Sequence, residues 1–176
     1  FADLTYDTVV LVSDTMPINI GFIAAYSIKH FASKIKVQLH KYPEEAISEI
    51  RKWKPDLICL SNYSWNSNLS EYIAKVAKSA LKDVIVSQGG PNMPHDDVQQ
   101  VQFLKSRPNT DLFMVMEGEV TTKLLINKIL INRSNPSNIF NEPLEGCIYL
   151  DEHNKLVKGS KPERIKELDD IPSPYL

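Results

Sequence analysis

The sequence predicts an α/β domain: a doubly wound, five-stranded parallel sheet of flavodoxin or Rossmann-like kind, carrying a C-terminal β-hairpin and an extended linker. Three observations lead there. Short apolar runs alternate with helical periods five times along the chain, and such alternation folds through right-handed crossovers that put helices on both faces of a sheet. Runs such as Leu57-Ile58-Cys59-Leu60 lack in-out alternation, as expected of strands covered on both faces. A chain of 176 residues with 43% hydrophobic and 24% charged residues is also long enough to bury one sizeable core.

The elements follow in order. The first strand is expected at residues 8–13, and the helix at 20–31 is apolar nearly all round, which predicts deep burial. A second strand is expected at 36–42. The next helix begins at Pro43, a residue tolerated in a first turn, with Glu44 and Glu45 where the helix dipole favours anions and Ala46, Ile47 and Ile50 inward. The third strand covers 56–62. Its following helix places Leu69, Tyr72, Ile73, Val76, Ala77, Ala80 and Leu81 on one stripe, away from Glu71, Lys75 and Lys78. A fourth strand at 83–88 stops at Gly89-Gly90-Pro91; the helix beyond has Asp96 and Asp97 in its first turn and Val98, Val101 and Leu104 inward. The fifth strand, 111–117, leads to a helix using Leu124, Leu125, Ile129 and Leu130, with Thr121 or Thr122 as N-cap.

Residues 1–132 thus form the sheet domain. An Asn, Ser and Pro-rich loop then leads to apolar segments flanking Asp151-Glu152-His153-Asn154, a hairpin signal, so 133–160 read as an extension. Residues 161–176, with three prolines and Leu168-Asp169-Asp170, read as a linker to a further domain. Phe1 in place of an initiating Met points to a trimmed piece of a longer chain.

Charge and cysteine content narrow the function classes. Lys and Arg total 20 against 22 Asp and Glu, a formal net charge of -2 without basic clusters, so nothing recruits nucleic acid or an anionic membrane. Cys59 and Cys147 are the only cysteines, and Cys59 lies in an apolar run; a reducing cytoplasm is the expected location. No apolar stretch approaches the roughly 20 residues of a membrane span, and the N-terminal residues carry no signal-peptide pattern.

Ligands of open α/β sheets sit outside the carboxyl ends of the strands, where strand order reverses; in a flavodoxin-like order this lies between the first and third strands. The loops 14–20 and 63–68 are therefore the candidate edge. The first holds a single glycine, in Asp14-Thr15-Met16-Pro17-Ile18-Asn19-Ile20-Gly21, and matches neither the dinucleotide nor the P-loop pattern. A flavin phosphate retains donors in Ser61, Ser64, Ser67 and Asn68. A phospho-receiver site needs an acceptor carboxylate where Ser61-Asn62-Tyr63 stands, and Asp14 alone cannot hold Mg²⁺. No G-x-S-x-G elbow exists, and His30, His40, His95 and His153 have no evident nucleophile partner; His95, before a helix, is read as capping or surface.

Two features remain. Gly89-Gly90 at a strand end permits a tight turn, a close ligand, or both. Tyr63 and Trp65 in Ser61-Asn62-Tyr63-Ser64-Trp65-Asn66-Ser67-Asn68 offer flat faces to a large planar ligand, or close the upper edge of the core.

Ser61, Gly89-Gly90 and Glu117-Gly118-Glu119, taken in order, resemble the N-terminal cobalamin-binding domain of B12-dependent radical SAM proteins. Pro55 to Ser61 with Tyr63 and Trp65-Asn66 is similar to that family's third strand and loop, Val86 to Pro91 to its fourth strand end, and Leu168 to Tyr175 to its connector before the radical SAM barrel. The resemblance implies a corrin on the carboxyl edge with its nucleotide tail threading beside the strands. Gly89, Gly90 and Pro91 then leave space for the tail, Ser61 bonds it, Asn62, Tyr63, Trp65 and Asn66 lie under or beside the corrin, and Glu117, Gly118, Glu119 and Thr121 flank it. Asp14, Met16, Pro17, Ile18 and Gly21 fall where the methionine-synthase-like branch carries D-x-H-x-x-G; either register puts Ile18 or Met16 at the His position. The implied mode is base-off and His-off, with no protein metal ligand. S-adenosylmethionine and a [4Fe-4S] cluster belong to a downstream radical SAM domain of the same polypeptide, because two distant cysteines cannot make C-x-x-x-C-x-x-C. The piece alone is then a methyl carrier without catalysis, the parent a methyltransferase or related radical enzyme. A flavodoxin-like FMN or nucleotide module and a ligand-free docking domain stand as the alternatives.

Overall fold

The structure is a computed structural model and describes residues 1–6 and 16–175. The expected first strand, 8–13, and Asp14 lie outside the described residues. Helix α1 spans Ile18–Phe31, α2 Pro43–Trp53, α3 Ser67–Ala80, α4 Asp97–Lys105 and α5 Gly118–Ile131. The strands are β1 Leu57–Ser61, β2 Ile85–Gly89, β3 Leu112–Met114, β4 Cys147–Leu150 and β5 Leu156–Lys158.

These form one five-stranded sheet in the order β1-β2-β3-β4-β5. The first two pairings are parallel and the last two antiparallel. The α/β class is as expected, but two of the five strands come from the hairpin, which joins the main sheet through Phe113↔Ile148 and Met114↔Cys147. Its turn forms where Asp151 Oδ1 accepts from the backbone N–H groups of His153 and Lys155 at 2.9 and 2.8 Å.

Beyond β1 the sheet continues as bridged, extended chain. Ala2 bridges both His40 and Leu60 in parallel, with Ala2 N to Cys59 O at 2.8 Å and Ser61 N to Ala2 O at 3.0 Å. Residues 36–42 therefore form an edge segment with one bridge at His40 rather than the full strand expected. Residues 1–5, for which no strand was expected, fill the place beside β1; Ala2 and Leu4 are buried there. The order across this side is the second segment, the first, then β1, which puts the reversal point between residues 1–5 and β1.

Two helical layers cover the faces. Ala46 and Ile50 of α2 and Ile73, Ala74 and Ala77 of α3 pack on Ile58, Leu60, Val84 and Val86. Leu125 and Ile129 of α5 pack on Ile85, Leu112 and Met114, with Leu57 and Cys59 at the margin of that cluster. Under α4, Leu104 and Met93 meet Phe113 and Ile148.

Several details differ from the periodicity. α1 buries one face only, leaving Ile18 and Ile28 half exposed, because it lies on α5 instead of inside the core. Tyr72 and Val98 are exposed. Asp96 is the N-cap of α4, accepting from Val98 N and Gln99 N at 3.0 Å each, and Gln100 and Leu104 are the buried residues of that helix. In α5 the N-cap is Glu117, not Thr121 or Thr122, and Ile126 rather than Leu124 is buried.

Candidate functional site at the carboxyl edge of the sheet

Parallel pairing places Ser61, Gly89 and Met114 in one row at the carboxyl ends of β1, β2 and β3. Residues in register share a face, and two residues earlier the row is Cys59, Ser87 and Leu112, on the side that α5 covers.

Asn66 pins the loop after β1. It is fully buried, its Nδ2 donating to Ser61 Oγ at 2.9 Å and Leu4 O at 3.2 Å, while its Oδ1 accepts from Tyr63 N at 2.8 Å. Ser61 Oγ in turn donates to Asp3 Oδ1 at 2.5 Å. Its only proton is thus engaged at the reversal point, and Asp3, unremarked in the sequence, completes this polar group. The tight 62–66 turn stacks Tyr63 on Trp65, ring centroids 4.5 Å apart at 3°. Tyr63 Oη accepts from Asn19 Nδ2 of α1 at 2.8 Å, tying the loop to the facing helix, while the indole of Trp65 remains 63% exposed. Trp65 therefore does not close the core.

The two glycines separate. Gly90 has φ +142°, and a Cβ there would lie 2.4 Å from the Asn62 carbonyl oxygen; its glycine is demanded by the chain itself. A Cβ on Gly89 would meet nothing closer than Met114 at 3.5 Å, so the fold does not require glycine there. Asn62 is fully buried and bonded: its N–H donates to Gly89 O at 2.7 Å, its amide to Gln88 Oε1, and its Oδ1 accepts from Asn92 Nδ2 at 2.9 Å. Gln88 continues inward to Thr110 Oγ1 at 2.6 Å and Glu71 Oε2 at 3.4 Å. Asn62 thus braces the Gly89-Gly90 turn rather than offering its amide to the edge.

On the α1 side, Met16 and Ile18 are 65% and 52% exposed. Pro17 caps α1 through its carbonyl, which accepts from Gly21 N at 3.1 Å and from Tyr175 Oη at 3.2 Å. A Cβ on Gly21 would stand 3.0 Å from Tyr175 Oη, so the tail lies against this helix. On the α5 side, Gly118 permits the close approach of α1, since a Cβ would lie 2.5 Å from Ile23 Cδ1. The Glu117 carboxyl is held below its usual range by its own backbone N–H and by Arg164, with which it pairs. Met116, missed in the sequence, is 54% exposed at φ 64°, a conformation that costs a bulky residue on the order of 1–3 kcal/mol and is found at ligand-binding loops. Pro91 is exposed in the turn, Glu119 sits in the first turn of α5, and buried Thr121 lies under Gly146, whose Cβ would reach 2.2 Å from its Oγ1.

The other titratable groups carry no site. His30 stacks edge-on against Tyr26 with centroids at 4.4 Å, His40 bonds Gln38 at 3.2 Å, and His95 and His153 are exposed. Among the described residues no three His, Cys, Asp or Glu side chains converge to hold a metal. Both cysteines are free, and burial pushes each thiol up to about 12. At the amino end of β1, a cleft of about 370 Å³ lies between α5 and residues 33–38 and 53–57, with Cys59, Ile126 and Ile129 among its walls. No described helix is long and apolar enough to cross a membrane.

The fold is an open α/β domain whose candidate edge lies at the carboxyl ends of β1, β2 and β3. No family model matches the chain. It is 29% identical over 123 residues to the cobalamin-dependent radical SAM methyltransferase TokK of Streptomyces tokunonensis, covering 70% of this chain and 17% of that protein. It is 25% identical over 122 residues to the 2-(S-pantetheinyl)-carbapenam-3-carboxylate methyltransferase of Streptantibioticus cattleyicolor, covering 69% and 17%. Among solved structures, OxsB, a cobalamin-dependent S-adenosylmethionine radical enzyme, superposes with TM-score 0.70 and 20% identity over 98% of this chain and 24% of its own, in the form holding aqua-cobalamin and S-adenosylmethionine. The form with aqua-cobalamin alone gives TM-score 0.68 and 21% identity. The chain therefore resembles a part of cobalamin-dependent radical SAM proteins, and spans 17% of the length of the curated relatives it matches.

Proposed function

We propose that this chain is the cobalamin-holding unit of a radical SAM enzyme, binding the cofactor base-off and without a protein imidazole, as a methyl carrier. One observation carries the reading: in the row Ser61, Gly89, Met114, glycine stands where the protein's own packing would accept a side chain. A strand end kept bare without internal need suits a ligand tail passing over it. The likeness to TokK and OxsB supports cobalamin as that ligand.

When bound, cobalamin supplies a cobalt centre able to carry a methyl group. This chain's residues bind and orient it. Trp65, stacked on Tyr63, offers an exposed flat apolar face to a broad macrocycle, and Met16, Ile18 and Met116 are exposed apolar side chains of the flanking segments. Ile18 and Met16 at the expected ligand position offer no imidazole, which supports His-off binding. The tail's course would run beside β1 and β2 towards the cleft floored by Leu57 and Cys59. In this reading residues 1–132 hold the cofactor, 133–160 extend the sheet, and 161–176 lead to the radical SAM domain. That domain would bind S-adenosylmethionine and a [4Fe-4S] cluster, since Cys147, buried in the core, and Cys59, partly buried against it, supply no cluster ligands. Two free thiols suit a reducing cytoplasm. Reaction and substrate belong to the whole protein.

Titration of the purified chain with hydroxocobalamin, followed by absorbance, tests the reading. Saturable binding with a base-off spectrum is expected. A folded chain that leaves the spectrum unchanged at tens of micromolar would refute it. A yellow protein releasing a fluorescent flavin on denaturation would favour the FMN alternative instead.

A further inference from the structure

Ser87 is 1% exposed, and among the described residues its hydroxyl has no hydrogen-bond partner of normal geometry. Such a group costs about 1–3 kcal/mol of stability relative to a bonded one, and Ala at this central strand position would avoid that cost. The strand around it explains nothing polar: Ile85 before it is core, and its register neighbours are Cys59 and Leu112. The Cys59 sulfur is near enough for the Ser87 hydroxyl to lower the pKa of that thiol, but it is a weak acceptor and makes no hydrogen bond of normal geometry with the hydroxyl. What singles the position out is its place, two residues below bare Gly89 on the same face, beside Cys59, which lines the cleft.

We infer that Ser87 Oγ is a ligand-reading group, donating a hydrogen bond to an acceptor on the tail of a ligand that enters past Gly89. The inference rests on the cobalamin reading and specifies it: Ser87 contributes to recognising the nucleotide tail and contributes nothing to the corrin ring. The hydroxyl is satisfied only in the complex, and its desolvation is met by the ligand.

Two ligands separate the parts, hydroxocobalamin and a cobinamide that has the corrin without the nucleotide. Ser87→Ala should weaken hydroxocobalamin binding roughly tenfold, the value of about one hydrogen bond, and leave cobinamide affinity unchanged. In the ligand-free chain the same variant should melt no lower than the parent. Unchanged hydroxocobalamin affinity, an equal loss for both ligands, or a lowered melting temperature without ligand would each overturn the assignment while leaving the cofactor reading standing. A parent chain that binds neither ligand would overturn the cofactor reading, and the assignment with it.

Discussion

At the scale of single residues, the edge separates groups that serve the fold from groups available to a ligand. Gly90, Asn62 and Asn66 are consumed internally: a positive φ against a carbonyl, a buried amide network, and a loop pin. Gly89, Trp65 and Met116 are not. This yields a contrast between two neighbouring substitutions. Gly90→Val should lower the urea midpoint markedly, because it combines a strained φ with a clash on Asn62 O. Gly89→Val should keep the fold yet abolish hydroxocobalamin binding. Should the Gly89 variant bind like the parent, the passage beside β2 is misplaced. The sequence flagged the pair but could not divide it, since the reason for Gly90 is an atom of residue 62.

At the scale of elements, helix starts are set by local chemistry and helix faces by neighbours. Pro43 with Glu44 and Glu45 starts α2 where expected. Asp96 caps α4 by accepting from two backbone N–H groups, while packing turns Gln100 and Leu104 inward and leaves Val98 exposed. Asp96→Ala should therefore cost about 0.5–2 kcal/mol, measured by chemical denaturation, with hydroxocobalamin affinity unaffected because α4 packs on β4 and β5 rather than at the Ser61–Gly89 row. A loss below about 0.3 kcal/mol would mean the cap is solvent-replaced. The hairpin was legible from its turn residues, whereas its union with β3 depended on a partner edge over thirty residues upstream in the chain.

At the scale of the molecule, the α5 side couples core and site. Cys59 and Cys147 lie in one cluster under α5, and burial raises both thiols from 9.0 to about 12. The unfolded chain loses these protons near the ordinary value while the folded chain keeps them, so it binds more protons than the unfolded one between 9.0 and about 12. Stability is thus intact below 9.0 and falls as pH rises through this window. The urea midpoint should be lower at about pH 10 than at about pH 8, and replacing both cysteines by Ala should flatten the difference. Equal slopes in parent and variant would exclude the thiols as its source. The tail also engages both sides of the edge: Arg164 pairs with Glu117, Lys29 Nζ donates to Asp170 O at 2.7 Å, and Tyr175 reaches Pro17. Residues 161–175 read as a bare linker in sequence because such contacts are single polar reaches across the surface, with no periodicity to announce them.

The sequence by itself determined the α/β class, the strand ends Ser61 and Gly89, the aromatic loop and the absence of an imidazole at Met16 and Ile18, because apolar period, glycine and side-chain identity are local properties. Tertiary structure decided that residues 1–5 fill the sheet beside β1, that Asp3 holds the Ser61 proton, that Asn62 braces the Gly89-Gly90 turn, and that Ser87 is buried with no partner of normal geometry among the described residues. Each of these depends on which atom from elsewhere in the chain arrives within about 3 Å of a polar group, and that distance exists only once the layers have packed.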